Sequence, residues 1–211
     1  MNNIILNKQD LIFDTSKQNI FFTSDTHFGH KNILKYCGRP FTDVDEMNEE
    51  LIRRWNSVVK PNDIVFHLGD VMMNCSVSKT IDILKRLNGI KYWIFGNHDY
   101  EFLFKSAIQE QFHYMSPKMR IRVNGQLIIL NHEPLLCYEG SYDENGHKSW
   151  QLFGHVHSGE TQTTGLDIER LAVCFPTQYD VGVDNNNYTP ISFDEVKLKI
   201  EAQVEKYNQA Q

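Results

Sequence analysis

The chain has 211 residues, 41% of them hydrophobic and 23% charged, which suits one globular domain with a substantial core. Its 21 basic and 27 acidic residues leave a formal net charge of −6, so the field of the whole molecule does not favour non-specific binding to nucleic acid. Phosphate chemistry on such a chain needs positive charge supplied locally, by bound metal. Cys37, Cys75, Cys137 and Cys174 stand far apart, with no Cys-x-x-Cys pair. That argues against a thiolate zinc site and against a disulfide framework. No stretch approaches about 20 apolar residues, and the N-terminus lacks a basic region followed by a long apolar run. The expectation is a single cytoplasmic domain over 1–211, with no membrane partner.

In chain order, Leu11-Ile12-Phe13 fits a short edge strand. Ile20-Phe21-Phe22-Thr23-Ser24 reads as the first central strand and ends in Asp25-Thr26-His27. A loop and short helix over 28–36 are closed by Cys37-Gly38-Arg39-Pro40, since glycine and proline both punctuate helices. Asp43 stands three residues before Glu46, a capping pattern. Met47, Leu51, Trp55, Val58 and Val59 follow at helical spacing and predict a helix over 46–59 with one apolar face. Pro61-Asn62-Asp63 turns the chain into a strand over 64–68. A second helix carries Val77, Ile81, Leu84 and Leu87 and stops at Asn88-Gly89. A strand over 92–95 follows. This alternation implies parallel pairing with crossover helices, and a site at the carboxyl ends of the strands.

The second half reads differently. Runs over 118–123 and 126–130 flank Asn124-Gly125, a two-residue hairpin signal. Further strands are expected over 150–153, 171–175 and 179–183. Ser192 lies three residues before Glu195, a capping box. Phe193, Val196, Ile200, Val204 and Tyr207 then share one face of a helix over 192–207, with 208–211 fraying. The result is two sheets, one of antiparallel character, flanked by helices.

Five apolar runs deliver Asp, Asn or His at their ends: Asp25 and His27; Asp70; Asn97, His98 and Asp99; His132; His155 and His157. In Ile94-Phe95-Gly96-Asn97-His98-Asp99 the glycine permits a sharp turn, after which three polar side chains fan out. Any one such cluster is ordinary turn chemistry. Five of them, all oxygen and imidazole donors without a thiolate, suit hard and borderline metal ions.

The order Asp-x-His, Gly-Asp, Gly-Asn-His-Asp, His, Gly-His-x-His resembles that of the calcineurin-like metallophosphoesterases, and here it spans residues 25 to 157. The resemblance implies an α/β fold, a four-layer αββα sandwich of two mixed sheets flanked by helices. It implies two divalent metal ions, one held by Asp25, His27, Asp70 and His157 and the other by Asp70, Asn97, His132 and His155. Asp70 would bridge them, one carboxylate oxygen to each. Two ions about 3.5–4 Å apart would clamp a phosphoryl oxygen and lower the pKa of a shared water, whose hydroxide attacks phosphorus. With only two carboxylates among the ligands, the site stays cationic and suits a phosphate ester. Manganese is the expected metal, and iron, zinc, nickel or cobalt also suit these donors.

His98 is then a proton donor to the leaving group or a clamp on the phosphate, oriented by Asp99. Asn97, His30 and Arg39 are the candidate substrate contacts, against a surface role for Arg39. His67 is expected in strand packing, His113 on a surface loop, and His147 in a polar stretch over 138–149 that is either a lid or a solvated loop. The expected function is hydrolysis of a small phosphodiester, since no cap domain or basic surface is evident. A phosphomonoesterase or nuclease would use the same site. A non-catalytic scaffold fits less well, because His98 and all seven ligand positions are present. The segment over 28–40 is also similar to stretches in small bacterial and phage-type phosphoesterases.

Overall fold

The computed structural model describes residues 10–142, 148–158 and 171–210. Two five-stranded mixed sheets stack face to face. In one, β2 (Ile20–Thr23), β3 (Ile64–His67), β4 (Ile90–Ile94) and β5 (Tyr114–Ser116) run parallel, and β10 (Ile191–Ser192) pairs antiparallel with β2. In the other the order is β1-β6-β7-β8-β9, from β1 (Leu11–Phe13), β6 (Lys118–Val123), β7 (Gln126–Asn131), β8 (Trp150–Phe153) and β9 (Gln178–Asp180). Only the β6–β7 pair there is antiparallel. Val123 pairs with Gln126, and Asn124 and Gly125 take φ of 50° and 86°. Both central residues at positive φ is the backbone of a tight hairpin turn.

The apolar runs are continuous because β2, β3 and β4 are buried on both faces. Ile20, Phe22, Ile64, Phe66 and Ile94 face Ile121, Ile128, Leu130 and Leu152 of the other sheet. Phe21, Val65 and Trp93 point the opposite way, onto the helices. Those are chiefly α2 (Val44–Val58) and α3 (Val77–Arg86), with the short α1 (Ile33–Tyr36), α4 (Tyr100–Leu103) and α5 (Ser106–Gln109) beside them. Asp43 accepts the N–H groups of Asp45 and Glu46, which satisfies two orphan donors and starts α2. Leu51, Trp55 and Val59 are buried as expected.

The final helix, α6 (Phe193–Gln209), opens on the full Ser192–Glu195 capping box. It packs Phe193, Val196 and Ile200 against β10, β9 and β2. It continues through Gln209, beyond the expected end at 207. The expected strand over 171–175 is absent. Its backbone makes a turn, with the Cys174 N–H donating to the Leu171 carbonyl. The strand expected over 179–183 is β9, and it ends at Asp180. His147 and the centre of the 138–149 stretch lie outside the described residues. Among the described residues, no helix is long and apolar enough to cross a membrane.

Candidate metal centre

The loops that follow β2, β3, β4, β7 and β8 meet at one edge of the sandwich. Backbone hydrogen bonds lace the first two loops together: the Asp25, His27 and Phe28 N–H groups donate to the carbonyls of Gly69, Asp70 and Val71. Glycine permits the closest approaches. A Cβ on Gly96 would collide with the Asp70 carboxylate, and one on Gly154 with Asp25 and Ser24. Asp25, His27, Asp70, His155 and His157 all have positive φ, from 47° to 70°. Such backbone costs a non-glycine residue on the order of 1–2 kcal/mol, and it clusters at functional sites.

All seven expected donors arrive in one cluster. Asp25 Oδ1 lies 3.9 Å from His27 Nε2 and 3.7 Å from His157 Nε2. Asn97 Oδ1 lies 3.0 Å from His132 Nε2 and 2.9 Å from His155 Nδ1, and those two nitrogens are 3.3 Å apart. Asp70 Oδ2 is 3.5 Å from both His27 Nε2 and His132 Nε2. Donors that share one ion at about 2.0–2.2 Å stand roughly 3–3.5 Å apart, so the second group is close to ligand spacing. Asp25 Oδ1 and His27 Nε2 are buried without any hydrogen-bond partner. A buried polar atom needs a partner, and a cation between these atoms would be one. The residues therefore fit divalent metal.

Each carboxylate spends one oxygen on a backbone N–H and offers the other. The His155 N–H donates to Asp25 Oδ2 at 2.9 Å, and the His98 N–H donates to Asp70 Oδ1 at 2.9 Å. Asp70 Oδ2 faces both donor groups, while Oδ1, which accepts the one N–H, keeps a second lone pair. The imidazoles are held from behind in the manner of metal-binding histidines. His132 Nδ1 meets the Leu68 carbonyl at 2.7 Å, and His157 Nδ1 meets Asp184 Oδ2 at 2.7 Å. Burial disfavours charge on both rings. The carboxylates outweigh it, holding His132 at about 9 through Asp70 and Asp25 and His157 at about 11 through Asp25 and Asp184. His27 shifts the other way, well below its usual value, through burial and the neighbouring cationic side chains.

The remaining candidates divide. His98 is exposed, with its ring 5.6 Å from that of His27. His30 is buried, 5.4 Å from the His27 ring. Both line a cleft of about 410 Å³ that also touches Asp70, Asn97, His155 and His157. Asp99 does not orient His98. Its carboxylate turns inward and accepts the N–H groups of Asp70, Val71 and Gly96 and the Trp93 indole. Burial lifts it to about 6 despite these donors. Its place is beneath the β3 and β4 loops, fixing their relative height. His67 packs as expected, buried against Trp55 and bonded to the Thr26 hydroxyl. His113 is exposed.

Arg39 is not a phosphate contact in this structure. It is 4% exposed, and its guanidinium is bidentate to Asp184 at 2.8 Å and bonds the Asp25 and Thr26 carbonyls. The fork geometry of arginine suits such a tie between two ligand loops. Asp184, which links Arg39 to His157, is the residue the sequence reading missed. It too closes a largely apolar run, Tyr179-Asp180-Val181-Gly182-Val183, so the rule that found the other sites applies to it. Arg39→Ala strands a buried carboxylate and should destabilise the fold by about 3–5 kcal/mol, read as a lower denaturant midpoint. Unchanged stability with a raised KM would restore Arg39 to the substrate site.

Known proteins resemble this chain in sequence and in fold. An uncharacterised protein of Methanocaldococcus jannaschii is 35% identical over 188 residues, covering 88% of this chain and 93% of that one. The gene 66 protein of Mycobacterium phage L5 is 30% identical over 165 residues, covering 66% of this chain and 78% of its own. Among solved structures, a protein of unknown function from Aquifex aeolicus superposes with a TM-score of 0.65 at 26% identity, covering 86% of this chain and 98% of that one. Residues 18–157, which carry all seven donors, match the profile of the calcineurin-like phosphoesterases, and the chain belongs to that family.

Proposed function

We propose that the protein is a binuclear, metal-dependent hydrolase of a small phosphodiester, acting in the cytoplasm. The observation that supports it most is the pair of donor groups sharing Asp70 Oδ2, with Asp25 Oδ1 and His27 Nε2 buried and unpartnered beside it. In this reading Asp25, His27, Asp70 and His157 hold one ion, and Asp70, Asn97, His132 and His155 the other. Two divalent ions there would polarise the phosphoryl oxygens and activate water. Manganese is the expected metal, with iron, zinc, nickel and cobalt as alternatives.

The chain's own residues do the rest. His98 overhangs the cleft, where its ring can give a proton to the departing oxygen. The His30 imidazole forms part of the wall against which a phosphate oxygen rests. The Asn97 amide adds an N–H₂ group beside its oxygen ligand, a further donor to the phosphate. The net charge of −6 favours a small ester over a nucleic acid. Phosphomonoesterase and nuclease activities are the competing readings.

A metal-by-substrate matrix on metal-stripped protein tests this. Manganese, iron, zinc, nickel and cobalt are each restored and assayed with a nitrophenyl diester, a nitrophenyl monoester and single-stranded DNA. The expected outcome is recovery with manganese and faster turnover of the diester. No recovery with any ion on any ester would overturn the proposal.

A further inference from the structure

Two cavities share His155 in their walls. One is the cleft beneath His98, with Tyr36 and Asn74 among its wall residues. The other, also about 410 Å³, is lined by Pro134, Leu135, Leu136, Val156, Val173 and Cys174. Among the described residues, Glu133 is its one acidic lining residue, and His155 is the one metal-donor candidate that it touches. Leu136 and Val173 are 80% and 64% exposed there. Aliphatic surface this open, beside a polar catalytic cluster, serves no purpose in the core.

We infer that this recess is a subsite for the arm of the diester that stays on phosphorus, and that this arm is an apolar alkyl or aryl group. The inference rests on the diesterase reading above. In hydrolysis the water oxygen bonds to phosphorus as the bond to the departing oxygen breaks. That oxygen keeps the electron pair and takes a proton. His98 lines the first cleft and not the second, so the departing arm lies in the first. The retained arm keeps its ester bond and must leave the phosphate in another direction. The recess shares the His155 side of the cleft wall, and we assign that arm to it.

A phosphomonoester has no group to place there. The chemistry of the walls selects the arm. Proline, leucine and valine side chains favour burial of apolar surface. They offer nothing to pair with a second phosphate, and Glu133 repels one.

Two diesters with the same departing group separate the possibilities: benzyl 4-nitrophenyl phosphate and methyl 4-nitrophenyl phosphate, assayed on the manganese-loaded protein. The native protein should show a kcat/KM ratio of about tenfold or more in favour of the benzyl ester. Leu136→Asp and Val173→Asp, both at exposed positions, should bring that ratio close to one. Benzyl phosphate, the product that retains the arm, should bind more tightly than methyl phosphate by a similar factor in calorimetry, and the two variants should lose this preference. Equal handling of the two esters by the native protein would overturn the subsite. So would a ratio that survives both substitutions, or a change of oligomeric state in the variants with the ratio intact, which would make the recess a contact between chains. Failure to release nitrophenolate from either ester with any metal would overturn the diesterase reading itself. A benzyl preference in binding would then mark the recess as an apolar site without that chemistry, which also overturns its assignment to a retained arm.

Discussion

Asp70→Asn is expected to strip metal from both positions at once and to lower diester turnover by about 10³-fold or more, because several kcal/mol of charge stabilisation depends on the ions. The size of the effect follows from the shared oxygen. Asp70 Oδ2 is 3.5 Å from His27 Nε2 and 3.5 Å from His132 Nε2, so one atom faces both donor groups. The amide is almost isosteric and carries no charge. Its N–H₂ group would meet either the lone pairs of these imidazoles or the His98 N–H that now donates to Oδ1. Elemental analysis after gel filtration, beside the same measurement on Asp25→Asn, reads the outcome. Asp25→Asn should empty chiefly the position it shares with His27 and His157. If Asp70→Asn kept one full equivalent of metal, the two positions would not depend on a common oxygen, and the binuclear reading would fail.

His98→Ala should leave the metal content unchanged and reduce turnover of a diester with an alkoxide leaving group by about 10²–10⁴-fold. The ring belongs to the cleft and not to the donor cluster. Its backbone N–H donates to Asp70 Oδ1, a bond that alanine keeps, and its ring stands edge-on to the His27 ring at 5.6 Å. A nitrophenolate leaving group departs without a proton, so its ester should lose much less. The contrast between the two esters is the signature of a proton donor. Equal losses on both would make His98 a phosphate clamp, and loss of metal would make it a ligand. Asp99 cannot be read as its partner. Asp99→Asn should act through the fold, since it disturbs the N–H groups of Asp70, Val71 and Gly96 and the Trp93 indole that Asp99 now collects.

The sequence was most informative where one physical requirement governed each residue. Strands β2, β3 and β4 are covered on both faces, so their apolar runs are unbroken and easily seen. Helix α2 shows Leu51 and Trp55 at the helical repeat because one face is buried. The seven donors stood out because polar side chains closing buried strands are hard to explain by packing. Legibility ended where neighbours in space decide. The run Leu171 to Phe175 is apolar and too short to show a period, and it forms a turn in place of a strand. Strand β5 is three residues long and mixed in burial, and it exists because β4 offers it an edge. Adjacency to His98 suggested a pairing for Asp99, yet the backbone turns that carboxylate the other way. The role of Arg39 depends on Asp184, which lies 145 residues away.

The left-handed backbone at Asp25, His27, Asp70, His155 and His157 sets local preference against global purpose. In the language of energy landscapes these are sites of frustration, where the residue that function requires is not the one the backbone prefers. At on the order of 1–2 kcal/mol each, they amount to roughly 5–10 kcal/mol. That is comparable with the whole stability of an ordinary domain, about 5–15 kcal/mol. A population of variants selected for thermal stability alone would drift toward glycine at these positions. It would become sturdier and lose these candidate metal donors in the same steps, so hardening this protein while keeping them must be done in the two cores, away from the edge where the loops meet.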